Sequence, residues 1–210
     1  MKHFTKTDFA ALGKIERANL INSVSGYKPA NLIGTISATG QTNLAIFTSV
    51  IHIGANPPLL GFIQRPTADV PRHTYENILE MGVYTINHVH ASFVERAHYT
   101  SAKFDRAVSE FDKCGLTEKY IENFAAPFVK ESQIKIGLRF VEEIPIRLNN
   151  TILIVGEIEH ILLPKNALLE NGNVDLNSVA DVCVSGLDTY HEVKEIAAFP
   201  FARPNELPEF

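Results

Sequence analysis

Two long runs of strand-forming residues joined by a short turn constrain this chain more than any other feature. Gln133-Ile134-Lys135-Ile136-Gly137-Leu138-Arg139-Phe140 alternates polar and apolar positions, the period of a strand with one buried face. Asn149-Asn150 makes a turn. Thr151-Ile152-Leu153-Ile154-Val155-Gly156-Glu157-Ile158-Glu159-His160-Ile161 then returns as a second strand, rich in β-branched residues and expected to be central in its sheet. Strands joined by short turns favour an antiparallel sheet, and closing that sheet into a barrel removes its exposed edges.

The rest of the chain fits this frame. Residues 1–18 show no clear period, and Ala18–Asn22 reads as a turn of helix ended by Ser25-Gly26. Asn31–Ser37 is a strand, Ala38-Thr39-Gly40-Gln41 a turn, and Asn43–Ile51 the second arm of a hairpin. Asn56-Pro57-Pro58 predicts an extended loop before a strand over Leu59–Ile63. A helix over 74–81, stopped by Gly82, leads into a strand over Val83–Asn87. Short helices are expected over Ala91–Tyr99 and Val108–Cys114, with the loop Thr100-Ser101-Ala102-Lys103-Phe104 between them. The strand-rich region begins at Phe128. Regular strand–helix alternation is missing and no GxGxxG follows a strand, which argues against a doubly wound parallel sheet. The reading is a mainly β domain over 1–165, with 1–18 as an N-terminal extension. Residues 166–210 form a C-terminal arm, its end marked by Pro200, Pro204 and Pro208, that packs on the barrel or on a second subunit.

Composition excludes several functions. With 45% hydrophobic residues the chain has material for a core, and a net charge of −5 without any Lys/Arg run argues against nucleic-acid binding. No apolar run is long enough to span a bilayer, and Met1-Lys2-His3-Phe4 leads into polar residues rather than a signal core. Cys114 and Cys183 have neither metal-ligand nor disulfide-framework spacing, so the expected compartment is a reducing cytoplasm. His88 and His90 alternate but lack a third ligand, and Glu170–Asp175 lacks calcium-loop spacing, so no metal is expected.

One stretch carries chemistry. The strand over Leu59–Ile63 runs into Gln64 and Arg65, crosses a loop held by Pro66 and Pro71, and meets Arg72, His73 and Thr74 where the helix starts. Two arginines and a hydroxyl at a helix N-terminus suit a phosphate, because free backbone N–H groups and the helix dipole already point there and guanidinium supplies bidentate donors. The same residues also occur as solvated loop arginines and a capping threonine, with Thr74 as N-cap or first-turn residue.

Further segments join that one: Asn31-Leu32-Ile33-Gly34-Thr35, Asn43–Val50, Pro57-Pro58-Leu59-Leu60, Arg72-His73-Thr74 leading into Asn77-Ile78, Tyr84–Asn87, Thr100–Phe104 and Glu131-Ser132. In order and spacing they resemble the flavin reductase-like family of FMN-binding split β-barrels over roughly residues 20 to 165. Gly186–Tyr190 is similar to the tail of its flavoredoxin-like subgroup. Many members carry Lys-Asp-Thr where this chain has Arg72-His73-Thr74, so the cation and hydroxyl are kept and the middle residue differs. The resemblance implies a six-stranded antiparallel split barrel that dimerises and binds FMN at the subunit interface. It implies that Thr48, Ser49 and Val50 meet the isoalloxazine edge, and that Gln64 and Arg65 line the ribityl and phosphate side. Arg72, His73, Thr74 and Asn77 lie at the phosphate end, and Thr100, Ser101, Ala102 and Lys103 close over the ring.

Flavin chemistry accounts for the lack of a nucleophile–base motif, because the protein then supplies position, donors and exclusion of water. The expected activity passes a hydride from NAD(P)H to flavin N5 and electrons on to free flavin, oxygen or a partner protein. His98, just before the Thr100–Lys103 loop, is a candidate to orient a nicotinamide or hold a proton, or else a hydrogen-bonding loop histidine. The alternatives are an FMN electron carrier reduced by a partner protein, a barrel oxidase resembling those that act on phosphorylated vitamin B6, and a small-molecule-binding barrel without flavin.

Overall fold

The computed structural model describes residues 1–68 and 70–209. Two helices open the chain, α1 (Lys6–Ala11) and α2 (Lys14–Val24), followed by strands β1 (Lys28–Pro29), β2 (Asn31–Ile36), β3 (Thr42–Phe47), β4 (Ile51–Ala55) and β5 (Pro58–Gln64). Next come α3 (His73–Met81), β6 (Val83–His88), α4 (Val94–Tyr99) and α5 (Glu110–Lys113). The hairpin β7 (Glu118–Ile121) and β8 (Phe124–Val129) precedes the two long strands, β9 (Lys135–Ile146) and β10 (Thr151–Leu162), and β11 (Val182–Ser185) and β12 (Thr189–Glu192) complete the order.

The main sheet is antiparallel with seven strands, in the order β3-β2-β6-β9-β10-β5-β4. Its two edge strands, β3 and β4, are consecutive in the chain and joined only by Thr48, Ser49 and Val50. Laid flat, six strand spacings of ~4.8 Å would hold those edges ~29 Å apart. The chain from Phe47 to Ile51 reaches at most ~14 Å. The sheet must therefore curl until its edges approach, which makes a barrel split at the 48–50 link. Ser49 Oγ accepts the Ile63 N–H at 3.0 Å and fastens that link to β5.

This geometry corrects two expectations. Asn43–Ile51 is not one strand: it breaks at 48–50, where the chain leaves one sheet edge for the other, and the count becomes seven strands rather than six. Asn56-Pro57 is not an extended loop but the two-residue turn of the β4–β5 hairpin, with Ala55 opposite Pro58. Pro58 is tolerated there because it opens its strand.

Among the described residues, the sheet separates the two larger of three apolar clusters, the third being Phe124, Ala126 and Phe128 of β8. Ile33, Phe62, Ile78, Tyr84, Ile86, Leu138 and Ile154 fill the barrel, while Leu32, Leu44, Val89, Phe93, Phe111 and Val184 pack outside it under α4 and α5. Consecutive residues Leu32 and Ile33 face opposite cores, so β2 is buried on both faces and its sequence does not alternate. The C-terminal arm is not extended throughout: β11 pairs with β1 on one side and β12 on the other in a small three-stranded sheet, tied just beyond β6 by the Val182 N–H···O Val89 bond of 3.1 Å. Helices α1 and α2 bury no side chain completely. Among the described residues, no helix is long and apolar enough to cross a membrane.

Candidate functional site

Strand β5 and helix α3 deliver the residues that sequence reasoning singled out. Gln64, at the end of β5, is 2% exposed; its Nε2 donates to the Arg65 carbonyl at 3.2 Å, but its Oε1 has no donor. A buried carbonyl oxygen without a partner is uncommon and calls for a hydroxyl or N–H from outside the chain. Arg65 is exposed and Arg72 half-buried. Arg72 Nε donates to the Pro66 carbonyl at 3.1 Å, which fixes the guanidinium plane across the loop. Among the described residues neither arginine pairs with a carboxylate. Burial, and then the Arg65 charge, hold the Arg72 guanidinium below the ordinary arginine range. Two cations that repel each other beside a helix start would be relieved by an anion.

Helix α3 begins with Arg72 as its N-cap, which makes no side-chain cap bond, so the first N–H groups of the helix keep their outward direction. Thr74 is a first-turn residue, not the cap, because its hydroxyl turns inward and accepts from Asn43 Nδ2 at 2.9 Å. Asn77, one turn on, donates to Thr35 Oγ1 at 3.1 Å and accepts from Arg106 Nη2 at 3.4 Å. Thr74 and Asn77 thus clamp α3 onto β3 and β2 and hold its N-terminus still. His73 opens the helix, half-buried. At the far end Gly82, with φ of 72°, takes the left-handed cap conformation that stops the helix.

The link residues Thr48, Ser49 and Val50 are half-buried, and the Ser49–Ile63 bond sets them next to Gln64. The structure therefore gathers 48–50, 64–65 and 72–74 into one neighbourhood. Thr100 is 2% exposed and its hydroxyl donates to the Ala97 carbonyl at 2.7 Å, closing α4 instead of facing outward. Ser101, Ala102 and Lys103 are exposed beyond it. Arg106, which sequence reasoning missed, ties this loop to α3 through an ion pair with Glu76 and the bond to Asn77. Nothing in the local pattern marks Arg106, because both partners lie about 30 residues away.

The histidines and cysteines take separate positions. His98 Nδ1 meets the Tyr190 hydroxyl at 3.1 Å, so α4 is held by β12, and burial pushes the Tyr190 phenol up to about 12. His88 pairs with Asp181 at 2.6 Å and His90 with Ser92 at 2.9 Å. Among the described residues, no group of three or more His, Cys, Asp or Glu side chains is placed to hold a metal. Burial pushes both thiols up, and for Cys114 the Glu110 carboxylate adds to the effect. A cleft of about 860 Å³ beside α2 is lined by residues such as Phe4, Ile15 and Leu20; its one cation, Lys14, stands beside Glu16, and it has neither the arginine pair nor the orphaned amide of the α3 site. The chemistry, not the size, decides between them.

Glu110 carries a pH expectation. Only 5% exposed, it accepts the Leu44 N–H at 2.9 Å, yet burial outweighs that bond and raises its pKa from the ordinary 4.5. Above 4.5 the unfolded chain releases this proton before the folded one does, so stability falls as pH rises toward the raised value. Glu110→Gln keeps an acceptor for Leu44 and is expected to lose less stability than the parent between about pH 5 and about pH 8. Urea unfolding at the two pH values checks this; equal losses in both proteins would contradict it.

A curled antiparallel sheet, split at one link and carrying two arginines at a helix start, defines a split barrel. The chain belongs to the flavin reductase-like family: the Flavin reductase like domain matches residues 27–177. A candidate flavin reductase with split barrel domain from Shewanella frigidimarina NCIMB 400 superposes at a TM-score of 0.92, with 48% identity over 96% of this chain and 100% of that one. Flavoredoxin of Desulfovibrio vulgaris (Miyazaki F) shares 25% identity over 84% of this chain and 92% of its own, at a TM-score of 0.72. Nitrilotriacetate monooxygenase component B from Bacillus cereus, at 19% identity over 95% and 98% of the two chains, shares the fold with a TM-score of 0.83.

Proposed function

We propose that this chain binds FMN at the start of α3 and acts as an NAD(P)H-dependent flavin reductase. The observation that carries the reading is the Arg65–Arg72 pair beside the α3 N-terminus, which meets no carboxylate among the described residues, together with the Oε1 of Gln64, which finds no donor there. Phosphate answers the first need and a ribityl hydroxyl the second, so the donor set fits the group. FMN held there would supply hydride and electron transfer between a nicotinamide and an acceptor.

The chain's own part is positional. Arg65, Arg72 and the first N–H groups of α3, including that of His73, bind the phosphate. Gln64 accepts a hydroxyl, and the 48–50 link offers backbone groups to the ring edge. Thr74 and Asn77 act through α3, which they anchor. Ser101, Ala102 and Lys103 exclude water from the far side. A second copy of the chain covers the open end of the sheet, where Ile51, Ile53, Val141 and Ile144 are all 40% exposed or more. Two unpaired thiols fit a reducing compartment, the cytoplasm.

The test is steady-state NAD(P)H oxidation with FMN, FAD or riboflavin present. The reading expects flavin-dependent oxidation above background; background rates with every flavin would sink it. The likeness to flavoredoxin supports a second reading, an FMN electron carrier, which would show tightly held FMN and only slow NAD(P)H turnover.

A further inference from the structure

A cleft of about 390 Å³ between α4 and α5 shares only Ala102 with the site described above. Its size falls within the roughly 300–1,000 Å³ typical of small-molecule sites. Tyr99, 58% exposed, and Phe104, half-buried, present aromatic surface to it, with Ala102 beside them. Arg96 and Lys113 add two cations and Glu95 one carboxylate. Arg96 Nη1 donates to the Gly115 carbonyl at 2.8 Å, which fixes the guanidinium while leaving its other donors available. Among the described residues neither cation forms an ion pair. Aromatic faces stack on a planar base and cations bind an anion, so the cleft matches a nucleotide in chemistry.

Its place in the fold narrows the ligand. Ala102 belongs both to this cleft and to the loop that faces the flavin in the function proposed above, so the cleft lies against the back of that loop. The chain has no glycine-rich strand–helix fingerprint, so a dinucleotide must be held by some other arrangement. Resting on that functional reading, we propose that the cleft receives the adenine-nucleotide half of NAD(P)H, with Tyr99 and Phe104 against the base and Arg96 and Lys113 on phosphate. The nicotinamide half reaches the flavin from the other side of the same loop.

Cys114 lines the cleft and supplies a readout independent of turnover. In the FMN-loaded Cys183→Ser protein, alkylation of Cys114 by N-ethylmaleimide is followed while ADP-ribose, which lacks nicotinamide, is added. Saturable protection is expected, with about tenfold more ADP-ribose needed after Tyr99→Ala or Arg96→Glu. In the same variants KM for NAD(P)H should rise about tenfold with FMN retention unaltered. An alkylation rate indifferent to ADP-ribose, or protection undiminished in both variants, would overturn the assignment. If the parent oxidises no NAD(P)H, the reductase reading fails, and protection of Cys114 by ADP-ribose still establishes the cleft as an adenine-nucleotide site.

Discussion

Arg72→Ala is expected to weaken FMN binding by about 1.5–3 kcal/mol, roughly 10- to 150-fold in Kd. Arg72 is half-buried, oriented by its Nε bond to the Pro66 carbonyl, and sits within the field of Arg65. A phosphate held there gains charge-assisted hydrogen bonds from donors that are already positioned, so little ordering opposes binding. Removing the side chain takes away those bonds and leaves the phosphate with Arg65 and the N–H groups of α3. Arg72→Lys should recover only part of the loss, because an ammonium keeps the charge but not the planar pair of donors. Titration of FMN fluorescence measures both variants, and unchanged affinity in Arg72→Ala would refute the phosphate site.

Gly34→Ala is expected to destabilise the fold by about 3 kcal/mol, through overpacking. Gly34 lies in β2 where β8 crosses closely: an added Cβ would sit 2.4 Å from the Pro127 carbonyl oxygen and 2.6 Å from Thr85 Oγ1. Neither atom can yield easily. The first is backbone, and the second donates to that same Pro127 oxygen at 2.7 Å. Accommodating a methyl group must part β8 from β2 or break the Thr85–Pro127 bond, and Asn87, which donates to Thr85 Oγ1 at 2.8 Å, would shift with it. Because β2 and β3 anchor α3 through Thr35 and Asn43, FMN affinity should fall along with stability. Urea unfolding checks the first effect; a midpoint equal to the parent's would show that the crossing is looser than these distances imply.

The strands legible in the sequence are those whose own residues decide them. Asn31–Ile36, Pro58–Gln64, Val83–His88 and the β9–β10 pair are dense in β-branched or alternating apolar residues, and each lies close to its expected span. Helix α3 was legible because its apolar face and Gly82 agree on where it stops. The break at Thr48–Val50 was not, because Leu44–Ile51 contains no glycine or proline; only the closure of a seven-stranded sheet requires it. Helices α1 and α2 bury no side chain completely, so no apolar period announces them. β11 was likewise missed, since its partner β1 lies far back in the chain, and β12 is a strand only because it pairs with β11. In the site, the two arginines at a helix start could be read from their order alone. That Thr74 faces Asn43, that Thr100 closes α4 and that Arg106 grips α3 depends on contacts no local pattern carries, apart from the Thr100 bond within its own helix turn.

The most direct test of the central claim is the visible spectrum of the protein after loading with equimolar FMN and desalting. A site built from Arg65, Arg72, Gln64 and the α3 N-terminus predicts a flavin band that stays with the protein. A colourless protein that also fails to speed NAD(P)H oxidation when flavin is added back would contradict it.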